Sequence, residues 1–341
     1  MMQIAALQQH LRGQGGNAAH VSRVLRQWLN ALPQDAGKRR IEDYLPLRLR
    51  QDLPLFEQHL HSLVTVHSRH SAEDGSQRLL LSLTDGQQIE AVLLPRGGLC
   101  VSTQVGCAVG CVFCMTGRGG LVRQVGSAEI VAQVALARQI QPVRRVVFMG
   151  MGEPAHNLEA VMEAITLLGN EGNIGHKDLV FSTVGDARVF ERLPQGPVRP
   201  ALALSLHSCF DERRRQLLPK APPLAVAELI AAAEVYARST GYPVQYQWTL
   251  LQGINDGDDE LEALATLLAG KHAMMNFIPW NAIDGMPYQR PSWERAAQMA
   301  NVLNRRGILT RLRRSAGQDV DGGCGQLRAR AEPHRKNRRA P

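Results

Sequence analysis

Cys107-Ala108-Val109-Gly110-Cys111-Val112-Phe113-Cys114 follows the segment Leu99–Gln104 after two residues, Val105 and Gly106. The cysteine spacing is C-x3-C-x2-C. Three thiolates from one short loop can hold three corners of a four-iron cluster. Nothing nearby supplies a fourth, although cysteine-only clusters normally use four. One iron is then left open to a ligand. Gly106 and Gly110 permit the tight curl that such a loop needs. Phe113 can cover a cluster and keep water away, which tunes its potential. Structural zinc prefers two separated ligand pairs, and no Cys-x2-Cys or His-x3-His partner lies downstream. The zinc, free-thiol and disulfide-staple readings are therefore weaker than the cluster, without being closed.

Outward from this loop, strand and helix signals alternate. Apolar runs at Val146–Met149, Leu179–Thr183, Ala201–Leu206, Val244–Leu250 and Met275–Ile278 read as buried strands. Helical periodicity covers Ala128–Ile140, Leu158–Leu168, Leu224–Ala237, Glu260–Leu268 and Trp293–Arg306. With Leu99–Gln104 this makes about six βα units, hence a parallel sheet with right-handed crossovers. Six units fall short of the eight of a closed barrel. The expected fold is α/β, a partial (β/α)6 TIM-like barrel. Ligands in such sheets sit at the carboxyl ends of strands. The cysteine loop, Gly150–Pro154, Ser182–Gly185, Ser205–His207 and Pro279–Asn281 all follow strand ends, so they should gather on one face.

Upstream the pattern changes. Residues 1–62 read as a small helical domain, with an apolar stripe at Val21, Val24, Leu25, Trp28, Leu29 and Leu32. Over 63–98 the period is two, and Asp74-Gly75 and Asp85-Gly86 mark hairpin turns. This β-hairpin extension leads into a core at 99–327, followed by a basic tail at 328–341.

The 341 residues carry a net charge of +8. From Arg305 to Pro341 there are eleven Lys or Arg against three Asp or Glu, which accounts for all of it. A basic surface confined to one end is the footprint of a polyanion partner; a solvated basic tail is the plainer alternative. No secretory signal pattern opens the chain. The best apolar run, Leu224–Tyr236, is interrupted by Glu228 and Glu234, which argues against a membrane span. Six cysteines in that setting point to a reducing compartment, and the expected location is cytoplasmic.

The cysteine loop, Gly150-Met151-Gly152-Glu153-Pro154 and the stretches Leu99–Cys107, Arg314–Asp319 and Cys324–Leu327 together resemble the radical S-adenosylmethionine (radical SAM) enzymes. Within them the likeness is to the RlmN/Cfr family of RNA adenosine methyltransferases, over roughly Glu90 to Leu327. The resemblance implies a [4Fe-4S] cluster held by Cys107, Cys111 and Cys114, with SAM on the open iron. Gly152, Glu153, Ser182, Ser205, Leu206, His207 and Asn281 would bind SAM. Cys324 would be methylated and then carry the methylene that joins an adenine ring carbon, C2 or C8. Glu90 would accept the ring proton, although from its residue type alone a strand Glu reads as solvent-facing. Cys100 would resolve the adduct through a Cys100–Cys324 disulfide, later reduced.

The partners so implied are rRNA or tRNA and an electron donor such as flavodoxin or ferredoxin, with no membrane and a monomeric protein. Cys209 matches no family role and reads as structural. Ser208-Cys209 and Gly323 depart from the family's usual residues, and residues 1–62, which the resemblance implies are an RNA-binding domain, match that domain of the family only loosely. Two other classes remain: a radical SAM enzyme acting on a small metabolite, and a non-catalytic iron–sulfur RNA-binding protein.

Overall fold

The computed structural model describes residues 1–36 and 40–329. Three helices come first: α1 (Ile4–Gly13), α2 (Ala18–Leu29) and α3 (Leu47–Ser62). Asn17 caps α2 by accepting the His20 N–H at 3.0 Å, the bond that satisfies an otherwise orphaned first-turn donor. The α2 stripe is buried from Val21 to Leu29. Leu32 lies beyond the helix end and is 49% exposed, so the stripe is one residue shorter than its periodicity indicates.

Strands β1 (Val64–Ser71), β2 (Gln77–Leu83) and β3 (Gln88–Leu94) follow as an antiparallel meander. Both aspartyl-glycine turns fall where expected, with Gly75 and Gly86 at φ near +80°. β3 passes antiparallel to β4 (Gly98–Cys100). The expected single strand before the cysteines is instead two short ones. β5 (Gln104–Gly106) leaves the main sheet and pairs with β6 (Leu121–Gln124), closing the base of the cysteine loop.

From β4 onward the main sheet is parallel. Its further strands are β7 (Arg145–Phe148), β8 (Leu179–Thr183), β9 (Ala201–Ser205), β10 (Val244–Leu250), β11 (Ala273–Pro279) and β12 (Thr310–Leu312). The crossovers carry α4 (Ser127–Arg138), α5 (Leu158–Asn170), α6 (Ala187–Arg192), α7 (Asp211–Leu217), α8 (Val226–Thr240), α9 (Asp258–Leu268) and α10 (Trp293–Arg305). The ten strands run in the order β1-β2-β3-β4-β7-β8-β9-β10-β11-β12, and the two end strands do not meet. This is a partial barrel, as the count of βα units implies, with β12 as an added last strand.

Strand alternation separates two environments. Val146, Phe148, Leu179, Phe181, Leu202, Leu204, Tyr246, Trp248, Met275 and Phe277 face the helices and form the main core. Val147, Met149, Val180, Ala201 and Ala203 face inward as a second, smaller cluster. Each fully buried large side chain contributes about 1.5–3 kcal/mol. Helix α4 is buried at nearly every position. It lies against α5 on one side and α1–α3 on another. The N-terminal helices and the barrel thus share one continuous core.

Candidate active site: a cavity lined by four thiols

At the carboxyl ends of the parallel strands lies a cavity of about 150 Å3. It is lined by Cys107, Cys111 and Cys114, by Gly152 and Glu153 after β7, by Ser182 on β8, by Ser205 and His207 at the end of β9, and by Cys324. The strand-end segments do converge on one face.

The cysteine loop is held by backbone geometry. Gly106 has φ +77°, and a Cβ there would lie 2.0 Å from the Gly120 carbonyl oxygen. Cys107 N–H donates to that same oxygen at 3.0 Å. Val109, Phe113, Leu217, Leu218, Leu251 and Trp280 form a local apolar cluster against which the three thiols pack. The Trp280 indole N–H donates to Phe113 O at 3.2 Å, fixing the loop from the β11 side. Phe113 is buried, and its ring meets His207 edge-on at 4.9 Å.

Among the described residues, no three His, Cys, Asp or Glu side chains converge on a single ion position. Cys107, Cys111 and Cys114 stand around the cavity, near enough for their charges to oppose one another. Three cysteine thiols lining one cavity are the donor type that a four-iron cluster takes. The donor set fits the cluster. Burial pushes the Cys107 thiol up to about 12 and raises Cys111 and Cys114 as well. None ionises unaided near neutrality, so coordination must draw off the protons.

Glu153 is buried. Its carboxylate accepts N–H bonds from Ala155 and Val184, each at 3.0 Å. Burial still prevails and pushes its carboxyl up to about 7. Gly152, at φ +104°, lets the turn lie against Gln104: a Cβ would sit 2.5 Å from the Gln104 Cβ. The glycine is thus needed for packing against β5 as much as for any ligand. His207 sits at φ +63°. Its Nδ1 accepts the Thr249 N–H at 2.9 Å, which leaves Nε2 to carry the proton. Burial, then the nearby Arg214, push the imidazole down to about 3, so it is neutral.

Four expected residues stand elsewhere. Leu206 is fully buried in the outer core, not in the cavity, because strand alternation turns it away from its neighbours Ser205 and His207. Asn281 does not line the cavity; its Nδ2 donates to Ser315 Oγ and to Cys324 O, each at 2.9 Å, so it holds the Cys324 loop. Glu90 is not solvent-facing but 1% exposed. It pairs with the equally buried Arg78 and accepts the N–H groups of Arg328 and Ala329 at 2.7 and 3.0 Å. Cys100 lies on β4, half-buried, near enough for the Cys324 charge to raise its pKa after burial does. The Cys100–Cys324 disulfide is absent: all six cysteines are free thiols. Cys209 packs beside the buried Glu260, which accepts its N–H at 2.7 Å, in keeping with a structural role.

Sequence reasoning missed Arg214. It is buried, donates to Val184 O and Ser205 O, and lies within electrostatic reach of Cys111 and Glu153. Its signal, one arginine in the run Arg213–Arg215, looks like a solvated helix face. Gln247 and Thr249 were missed too, although they share the inward face of β10. No described helix is long and apolar enough to cross a membrane.

The Radical SAM superfamily model matches residues 101–268. A probable RNA methyltransferase from Methylibium petroleiphilum is 67% identical over 330 residues, spanning 97% of this chain and 94% of that protein. Another from Pseudomonas aeruginosa is 60% identical over 337 residues, spanning 98% and 97%. The crystal structure of a radical SAM methyltransferase from Sphaerobacter thermophilus superposes with a TM-score of 0.83 at 36% identity, covering 96% of this chain and 98% of that one. With a thiol-lined cavity at the strand ends and relatives matched nearly end to end, this chain belongs to the radical SAM superfamily, in the family of these probable RNA methyltransferases.

Proposed function

We propose that this protein methylates an adenosine ring carbon, C2 or C8, in rRNA or tRNA, through a methylated Cys324. The observation that carries the reading is the presence of Cys324 in the same cavity as Cys107, Cys111 and Cys114. Those three would hold a [4Fe-4S] cluster, and Glu153, Ser182, Ser205 and His207 would hold SAM beside it. When bound, cluster and SAM supply a methyl cation equivalent for a thiol and, on reduction, a hydrogen-abstracting radical.

The chain's own residues set the conditions. The apolar cluster around Phe113 excludes water, which protects reactive species from side reactions. Glu153, with a carboxyl near neutrality in its pKa, can accept hydrogen bonds from an ammonium. Neutral His207 offers Nε2–H as a donor without adding charge. Cys324 is the nucleophile that takes a methyl group, since a thiolate is the reactive form. Asn281 positions it. Cys100, held on β4, is the thiol that attacks the Cys324 sulfur; the bond from that sulfur to the methylene on the base breaks, the carbon takes up a proton from solvent to become the methyl group, and the two sulfurs are left joined for an external reductant to reopen. Glu90 accepts the ring proton once the Arg328–Ala329 backbone releases its carboxylate. The base must leave its stack to reach Cys324.

The deciding test is mass spectrometry on protein reconstituted without oxygen. A methyl group on the Cys324 peptide after SAM is added, together with methyladenosine in rRNA or tRNA only where the protein is present, is the expected result. SAM cleavage without RNA methylation would instead favour a metabolite substrate. RNA binding with no SAM cleavage would leave a non-catalytic binding protein.

A further inference from the structure

Below the thiol-lined cavity, the inward face of the barrel becomes basic. Arg145 opens β7 on the same face as Val147 and Met149, and Met149 lines the cavity. Its register partner on β4 is Gly98, which has no side chain to cover it. Across the opening, Arg311 on β12 pairs in register with Asn276 on β11. Asn276 shares its face with Ile278, another cavity residue. Arg313 continues that face, and its Nη1 donates to Asn276 Oδ1 at 3.4 Å. The Asn276 amide nitrogen, wholly buried, has no hydrogen-bond partner among the described residues. Arg145 and Arg311 are exposed and form no ion pair or side-chain hydrogen bond among the described residues. Arg145 and Arg311 are both within electrostatic reach of Arg313, so three guanidinium groups share the inward face of the barrel. A cleft lined by one sign of charge raises the local concentration of the opposite one, here an anion.

We propose that the unclosed side of the barrel is a phosphodiester-binding lane, in which Arg145 from one side and Arg311 and Arg313 from the other hold the RNA backbone beside the nucleotide whose base enters the cavity. The lane rests on the RNA-methyltransferase reading and adds where the strand runs: from the start of β7, past β12, to Cys324. It places backbone recognition inside the barrel seam, independently of the N-terminal helices and the basic stretch beyond residue 329. Arginine suits this work because its planar fork matches a phosphate.

The test is equilibrium binding of a fluorescein-labelled, single-stranded 20-nucleotide RNA of mixed sequence to the anaerobically reconstituted protein across a salt series. The variant is Arg145→Gln/Arg311→Gln. Arg192→Gln/Arg215→Gln removes the same charge from surface ion pairs with Glu159 and Glu212. The lane predicts that the first double variant binds about tenfold more weakly and loses about 1.4 from the log–log salt slope, two single-strand phosphate contacts' worth. The second keeps a near wild-type slope. Equal losses in both variants, or a wild-type slope in the first, overturn the lane alone. Failure of the wild-type protein to bind any RNA overturns the RNA reading and the lane together.

Discussion

His207 shows how one backbone position can fix a protonation state. Its φ of +63° turns the ring so that Nδ1 takes the Thr249 N–H, and burial does the rest. The folded pKa of about 3 lies below the ordinary 6.5. In that interval the unfolded chain binds a proton that the folded chain refuses. Stability is therefore full above about pH 6.5 and falls as pH drops toward 3. His207→Asn keeps an acceptor for Thr249 but cannot be protonated. The gap in urea midpoint between wild type and variant should shrink on going from pH 7 to pH 5. Cys100→Ala tests the neighbouring chemistry. A protein–RNA adduct should accumulate and resist denaturing electrophoresis; clean turnover would remove Cys100 from the resolving role. The three clustered cysteines and Glu153 could be read from the chain because spacing and strand-end turns are local. The tie of Asn281 to Cys324, and the burial of Glu90 by Arg78, could not, since each depends on residues far apart in sequence that only the sheet brings together.

At the scale of elements, two features support the Cys324 loop. The β1–β2 turn is joined to it through Asp74, which accepts the Gly317 N–H at 3.0 Å. Farther along, Glu90 on β3 binds the backbone at 328 and 329. Arg78→Met would leave the Glu90 carboxylate without its buried partner. Breaking such a pair costs about 3–5 kcal/mol, which a urea titration should register, and Cys324 should alkylate faster in the surviving fold. The double variant Arg78→Met/Glu90→Leu should recover part of the stability. Gly106→Ala acts on the other loop. The added Cβ meets a backbone oxygen that has nowhere to move without opening the β5–β6 pairing. Iron and sulfide content after reconstitution should fall severalfold. The strands and long helices were legible because their periodicities are strong. β6 and β12 were not, since four and three residues are too few to show one.

For the whole molecule, the continuous core constrains how the chain can be divided. Sequence composition marks 1–62 as a separate helical unit. Yet Ile4 N–H donates to Ser127 Oγ at 2.8 Å, and a Cβ on Gly126 would collide with Met2 O at 2.1 Å. Removing residues 1–62 would strip the cover from α4, whose apolar side chains would then face water. That truncated chain should aggregate or lose cooperative unfolding in calorimetry; a soluble, sharply melting product would show the barrel to be self-sufficient. The barrel itself was predictable in class from six βα units, and its unclosed seam follows from having too few strands to complete the circle.

Cys100 is pinned between β3 and β7 by hydrogen-bonded neighbours on each side, whereas Cys324 rides on a glycine-flanked loop. Any encounter of the two sulfurs is consequently one-sided, with the travel made by the loop alone. Under the proposed resolving step, a spectroscopic label on that loop would move like a clock hand once per turnover, while one placed on the strand would stand still.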